Sequence, residues 1–190
     1  MPEQKITRPS ARARVLLLPG IGNSGPEHWQ SRWEAEHDSY VRVHQKDWDH
    51  PVCSDWLDSL QLQAHRAGPD TLIAAHSLGC LLAVYWLART SVRIGGALLV
   101  AVPDPNSKSF PSQAIGFTPL PRRRLPCPSI VLASMDDPYS DLEFSTQCAR
   151  FWGSRWVNIG RAGHINAASG LGNWSEGHRL LHSLAAGPPA

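Results

Sequence analysis

The sequence predicts an α/β fold: a three-layer sandwich with a mostly parallel sheet of about six strands and helices on both faces. Two observations predict it. Short apolar runs alternate along the chain with stretches of helical period, the rhythm of strand-helix-strand units. The runs also lack polar alternation, as strands buried on both faces do. The length of 190 residues with no internal repeat suits one domain with a sizeable core.

The first strand is Val15-Leu16-Leu17-Leu18, stopped by Pro19-Gly20. A Gly-rich loop runs from Gly20 to Gly25. Pro26-Glu27-His28-Trp29 then opens a helix reaching about His37, with Pro near its first turn. Tyr40 to His44 alternates and reads as a second strand near an edge. After a loop from Gln45 to Pro51, Cys53 to Arg66 is helical, with Trp56, Leu57, Leu60 and Ala64 on one face. Gly68-Pro69-Asp70 ends it. Thr71-Leu72-Ile73-Ala74-Ala75 is the third strand, and Cys80 to Ala88 forms the next helix.

Gly95 to Val102 is the fourth strand, closed by Pro103. Asp104 to Pro128 is rich in Pro, Ser and Arg and long for a structureless loop. It is expected to be a short lid or rim element rather than a domain. Ser129 to Ser134 is the fifth strand. Asp141 to Trp152 is a helix with Leu142, Phe144 and Ala149 inward, and Arg155 to Ile159 is the sixth strand. A Gly-rich loop from Gly160 to Asn173 leads to a closing helix, Ser175 to Leu184. The expected layout is a flexible arm at 1–12, one domain at 13–185 and a flexible tail at 186–190.

Hydrophobic residues make up 42% of the chain, charged residues 18%, and the net charge is +2. That charge argues for neither nucleic acid nor anionic membranes as partners. Arg122-Arg123-Arg124 sits among prolines and reads as a solvated loop. The four cysteines form no CxxC pair and no zinc spacing, so free thiols in a reducing cytosol account for them. No run reaches the ~18 apolar residues of a membrane span. The polar, basic start has no signal-like apolar segment. The expected location is the cytoplasm.

Chemistry enters at Ala75-His76-Ser77-Leu78-Gly79, between a buried strand and a helix. A serine at such a corner is the nucleophile elbow of α/β hydrolases. The strained turn needs small residues two positions before and after the serine, and Ala75 and Gly79 satisfy that. Ala in the first position departs from the usual Gly. His76, inside the elbow, is expected to point away from the site.

In a parallel sheet the partners of Ser77 belong at the carboxyl ends of other strands. His164, in Gly160-Arg161-Ala162-Gly163-His164 after the sixth strand, stands where this architecture keeps its base. A histidine can take the proton of Ser77 near neutral pH and return it to the leaving group. The fifth strand leads into Met135-Asp136-Asp137-Pro138-Tyr139. Side chains leaving a strand in succession point apart, so one Asp should orient the imidazole. Pro138 favours Asp137; Asp136, bracing the loop, and Asp104, after the fourth strand, are the alternatives.

An oxyanion hole needs two backbone N–H groups: one from Leu78, the other from Ile21 or Gly22 in the first loop. Prolines flank that loop and no acidic residue follows at the required distance, so it is not a dinucleotide site. Of eight tryptophans, Trp29 is the one expected beside the substrate; the others read as packing.

These residues carry a resemblance. Leu17-Leu18-Pro19-Gly20, the elbow, Ser134-Met135-Asp136-Asp137-Pro138-Tyr139, and Trp152-Gly153-Ser154 leading to Gly163-His164-Ile165-Asn166 resemble the retinoblastoma-binding protein 9 family of small serine hydrolases, especially its bacterial members. The resemblance spans about residues 13–185. It implies a minimal α/β hydrolase without a large cap and a triad of Ser77, Asp137 and His164. Family members were named for a partner bound through a Leu-x-Cys-x-Glu motif, which this chain lacks, so that partner does not transfer. The expected activity is hydrolysis of a small ester, thioester or amide, with no metal or organic cofactor called for. The rival readings are an idle protein-binding module on the same fold and an acyltransferase.

Overall fold

A computed structural model describes residues 14–185. The arm and the tail expected at 1–12 and 186–190 lie outside the described residues. The elements run in the order β1 (Val15–Leu18), α1 (Trp29–Glu36), β2 (Tyr40–Arg42), α2 (Cys53–Ala67), β3 (Leu72–His76), α3 (Leu78–Leu87), β4 (Gly96–Val100), β5 (Ser129–Ala133), α4 (Leu142–Trp152), β6 (Arg155–Asn158) and α5 (Ser175–Ser183). The six strands form one sheet in the order β2-β1-β3-β4-β5-β6, and every pairing is parallel.

Strand alternation divides the core in two. Leu16, Leu18, Ile73, Ala75, Ala97 and Leu99 face one layer, covered by α2, α3 and α4. Val15, Leu17, Leu72, Ala74, Leu98 and Val100 face the other, covered by α1 and α5. The central strands are apolar throughout because both faces are covered. All ten residues of α3 are buried. Its polar atoms find partners accordingly: Tyr85 Oη donates to the Pro119 carbonyl at 2.7 Å and Trp86 Nε1 to Gln61 Oε1 at 2.5 Å.

One local expectation is corrected. The fully buried stripe of α4 is Ser145, Cys148, Ala149 and Trp152; Phe144 is half-buried against the core, and Leu142 is half-buried without joining it. Asp141 sets the start of the helix: as N-cap it accepts the Phe144 N–H at 2.7 Å, so the helix begins at Leu142. In β2 the alternation places Arg42 inside and Val41 outside. The buried charge is met by Glu34, at 2.7 Å.

The segment 104–128 is a strap without helix or strand, fastened along its length. Ser109 Oγ donates to the Pro138 carbonyl at 2.9 Å. The Ile115 N–H reaches Pro51 O and the Leu125 N–H reaches Trp152 O, each at 2.9 Å. Phe117 is buried in the core. All four cysteines are free. Among the described residues no helix is long and apolar enough to cross a membrane.

The sheet order reverses between β1 and β3, so their following loops separate and leave a crevice at the carboxyl edge. The start of α3 packs against β1 there. A Cβ on Gly79 would stand 2.1 Å from the Leu18 carbonyl oxygen and 2.7 Å from that of Pro19. Gly79→Ala is therefore expected to cost about 3 kcal/mol, read as a lowered urea midpoint at constant slope. Ala75→Gly should cost less than about 1.5 kcal/mol.

Candidate active site

β3 delivers His76, and the chain then turns through Ser77 into α3. Ser77 has φ 53° and ψ −125°, a region that residues other than Gly rarely occupy. The Ser77 N–H donates to Val100 O at 2.9 Å and the Cys80 N–H to Ser77 O at 2.8 Å. These bonds hold the turn from both sides. Gly20 leaves room for the serine, since a Cβ there would lie 2.9 Å from Ser77 Cβ.

The loop after β6 brings His164 to the same point. Its Nε2 lies 2.8 Å from Ser77 Oγ. Its Nδ1 lies 2.9 and 3.0 Å from the two oxygens of Asp137. A carboxylate only accepts, so the imidazole proton sits on Nδ1 and the Nε2 lone pair receives the Ser77 hydroxyl. The histidine and aspartate side chains are 9% and 3% exposed. That keeps water from competing for the bond between them. The Tyr139 N–H also donates to Asp137 Oδ1, at 3.0 Å.

The neighbouring carboxylate takes a different path. Asp136 Oδ1 accepts from the Gly163 N–H at 2.9 Å and from Ser134 Oγ at 2.8 Å. These bonds, the Gly163 one first, hold its carboxyl below the usual range. The loops after β5 and β6 are thus cross-braced beside His164. Asp104 is turned onto Asn106, whose N–H it accepts at 2.9 Å, and makes no bond to His164.

The loop after β1 supplies the facing wall. Its Gly22 N–H donates to Trp48 O at 2.9 Å, which removes Gly22 from the expected oxyanion donors. The Ile21 N–H makes no hydrogen bond among the described residues, and Ile21 lines the cleft. The Leu78 N–H opens α3, where first-turn donors have no partner within the helix. The loop is anchored beneath by Arg42, which donates to Asn23 Oδ1 at 2.7 Å and to Ser24 O at 2.9 Å. Gln30 adds a second anchor, accepting from Ser24 Oγ and donating to Ala74 O.

Trp29 is not a wall of the cleft. It is 1% exposed, its Nε1 donates to Ile165 O at 2.9 Å, and its ring packs against Trp33 and Trp174. As the first residue of an amphipathic helix it faces the sheet and supports the histidine loop from below. His76 also departs from expectation: it does not point away but reaches His164 O with Nε2 at 2.8 Å.

The cleft above Ser77 has a volume of about 420 Å³. Ile21 and Asn23 line one side; Phe110 and Pro111 of the strap, with Tyr139, line the other; none of its lining residues is Asp, Glu, Lys or Arg. Among the described residues no cluster of three or more His, Cys, Asp or Glu is arranged to hold a metal ion.

Sequence reasoning did not single out Arg42, Gln30 or His28 as supports of this site. The available signal was an arginine at an inward position of an alternating strand. Its partners are contributed by an adjacent helix and loop, which become neighbours only on folding.

Residues 15–183 match the family described as serine hydrolase. YdeN of Bacillus subtilis (strain 168) is 26% identical over 169 residues, spanning 80% of this chain and 85% of that protein. Its crystal structure superposes with a TM-score of 0.71 at 21% identity, covering 92% of this chain and 99% of that one. A YdeN-like protein from Pectobacterium atrosepticum SCRI1043 gives a TM-score of 0.81 at 28% identity, covering 92% and 91%. The RedJ thioesterase of Streptomyces coelicolor shares the fold, at a TM-score of 0.65 and 16% identity, covering 93% and 91%.

Two histidines under the cleft stay neutral in the fold. Burial, then the nearby Arg42 charge, lowers His28 from 6.5 to about 4. Burial, then His28 and His164, holds His76 well below 6.5. The unfolded chain binds these protons near pH 6.5 and the folded chain does not. Stability is therefore full above pH 6.5 and lost as pH falls toward 4. The His28 share is about 3 kcal/mol. Urea midpoints measured from pH 7.5 to 4.5 should fall, and His28→Gln should flatten that fall.

Proposed function

The chain belongs to the serine hydrolase family, and from that premise we propose that it cleaves a small carboxylic ester, thioester or amide through Ser77, His164 and Asp137. One observation carries the reading: Ser77 Oγ, His164 Nε2 and Nδ1, and the Asp137 carboxylate follow one another within 3.0 Å at each step. The family makes the chain an enzyme; the residues named here say how it would work. The catalytic domain is taken as residues 13–185. The Asp-Asp-Pro-Tyr and Gly-His-Ile-Asn blocks favour a place near the retinoblastoma-binding protein 9 type within the family.

The reaction begins with His164 Nε2 taking the Ser77 proton while Oγ bonds to the substrate carbonyl carbon. The carbonyl π pair moves to oxygen, and the N–H groups of Leu78 and Ile21 hold the resulting oxyanion. Asp137 keeps Nδ1 protonated and stabilises the imidazolium as it forms. The carbonyl reforms, the bond to the leaving alcohol, thiol or amine breaks, and His164 protonates that group. Water then repeats the sequence, losing a proton to His164 and releasing the acid and free Ser77.

The cleft supports uncharged substrates of modest size. Its lining offers no counter-charge to an anionic or cationic group, and burying an unpaired charge is costly. Ile21, Phe110 and Pro111 suit a short aliphatic or aromatic acyl chain. Free thiols at all four cysteines favour a reducing compartment such as the cytoplasm.

Ser77→Ala should abolish turnover of p-nitrophenyl butyrate and labelling by a fluorophosphonate probe while leaving the circular dichroism spectrum unchanged. Asp137→Asn should lower kcat by roughly 10³–10⁴-fold. Undiminished turnover by Ser77→Ala would reject this reading. Absence of a Ser77 adduct in folded wild-type protein would favour a binding module. Across esters of graded acyl length, kcat/KM should peak at short chains and drop for a hemisuccinate ester.

A further inference from the structure

His76 is the residue bonded to the nucleophile, and its side chain reaches the backbone of the base. Its Nε2 lies 2.8 Å from the His164 carbonyl oxygen, across 88 residues of sequence. A carbonyl only accepts, so Nε2 carries the imidazole proton. The ring is 5% exposed. It is held edge-on by two other imidazoles, His28 at 4.6 Å and His164 at 4.9 Å between centroids.

The loop carrying His164 has other supports, but they act on its neighbours. Asp136 holds the Gly163 N–H, and Trp29 Nε1 holds Ile165 O. Gly163 and Ile165 both have positive φ, 55° and 49°. The backbone therefore bends sharply on each side of His164 and gives the residue little intrinsic reason to stay in place. Among the described residues, His76 supplies the hydrogen bond to the backbone of His164 itself.

We propose that His76 is a positioning residue: its Nε2–H ties the His164 carbonyl to the strand that carries Ser77 and fixes the spacing of nucleophile and base. The proposal rests on the triad reading above. A shared anchor one covalent bond from Ser77 lets the two reacting groups move together. Proton transfer needs Oγ and Nε2 within hydrogen-bond reach, and an error of about 1 Å costs on the order of 10²-fold in rate. The ring must also stay uncharged. A second cation beside His164 would oppose the imidazolium formed in the reaction, and the burial that keeps His76 neutral avoids it. The titratable groups facing the ring are His28 and His164.

The test compares His76→Phe, which removes the donor, with His76→Gln, which restores one. With p-nitrophenyl butyrate, His76→Phe should lose about 10–100-fold in kcat, with KM within about threefold of wild type. The rate of fluorophosphonate labelling should fall in parallel, and His76→Gln should recover to within about fivefold of wild type. A second readout needs no variant. Long-range proton–nitrogen spectra of ¹⁵N-histidine-labelled wild-type protein should show His76 as the neutral Nε2–H tautomer. A folded His76→Phe with wild-type kcat, a Gln variant as impaired as the Phe variant, or a Nδ1–H tautomer at His76 would each overturn the proposal. Should His76→Phe not fold, the Gln variant and the wild-type spectrum decide. Wild-type protein that fails to label at Ser77 would instead reject the triad reading, which separates the two failures.

Discussion

The structure depends on a close backbone approach at the elbow. The first turn of α3 lies so near the end of β1 that position 79 has no room for a Cβ, with the Leu18 oxygen 2.1 Å from where it would stand. Gly20 makes the matching concession beneath Ser77. Between them the serine holds φ 53°, a conformation costing on the order of 1–3 kcal/mol. The cost is offset where the chain is most constrained, by hydrogen bonds to β4 and the packing of a helix buried along its whole length. The result is a hydroxyl raised at the crevice where the strand order reverses.

That constraint explains why much of the fold was legible in the sequence. Val15–Leu18, Leu72–His76, Gly96–Val100 and Ser129–Ala133 are covered on both faces, and full coverage writes itself as an unbroken apolar run. The edges were harder. β6 is exposed or half-buried throughout and was marked by its flanking turns. β2 holds a buried arginine whose partners come from α1 and the first loop. In one dimension such a residue looks solvated. The strap at 104–128 has no period to read, because Pro-rich turns pinned by backbone bonds replace regular structure.

The positions of Ser77, Asp137 and His164 could be argued from topology, since strand order sends each to the carboxyl edge. Which neighbouring atoms are free once there could not. Gly22 and Ile21 are adjacent and equally plausible donors until the Gly22 N–H is seen to be taken by Trp48. Trp29 borders a Gly-rich loop, yet its indole turns under the floor because the apolar face of α1 must cover the sheet. His76 was expected to point away from the site, but at the end of β3 its side chain meets the loop after β6. Such facts are set by contacts between residues far apart in sequence, and residue type alone does not encode them.

The paired carboxylates show how one short loop divides two tasks. Asp137 is almost fully buried against the imidazole. Asp136 stands outside and accepts the Gly163 N–H, one residue before the histidine. Successive residues at a strand end diverge, so the same turn can orient the ring with one side chain and fix the backbone carrying it with the other. Asp136 remains ionised where its bonds to Gly163 and Ser134 lower its proton affinity, so the brace persists into mildly acidic solution. An exposed carboxylate contributes little through charge alone. Its value here comes from the backbone donor it satisfies, since that fixes a loop bent by positive φ on both sides of His164. The geometry of the site is therefore carried as much by the groups that hold the loops as by Ser77, His164 and Asp137 themselves.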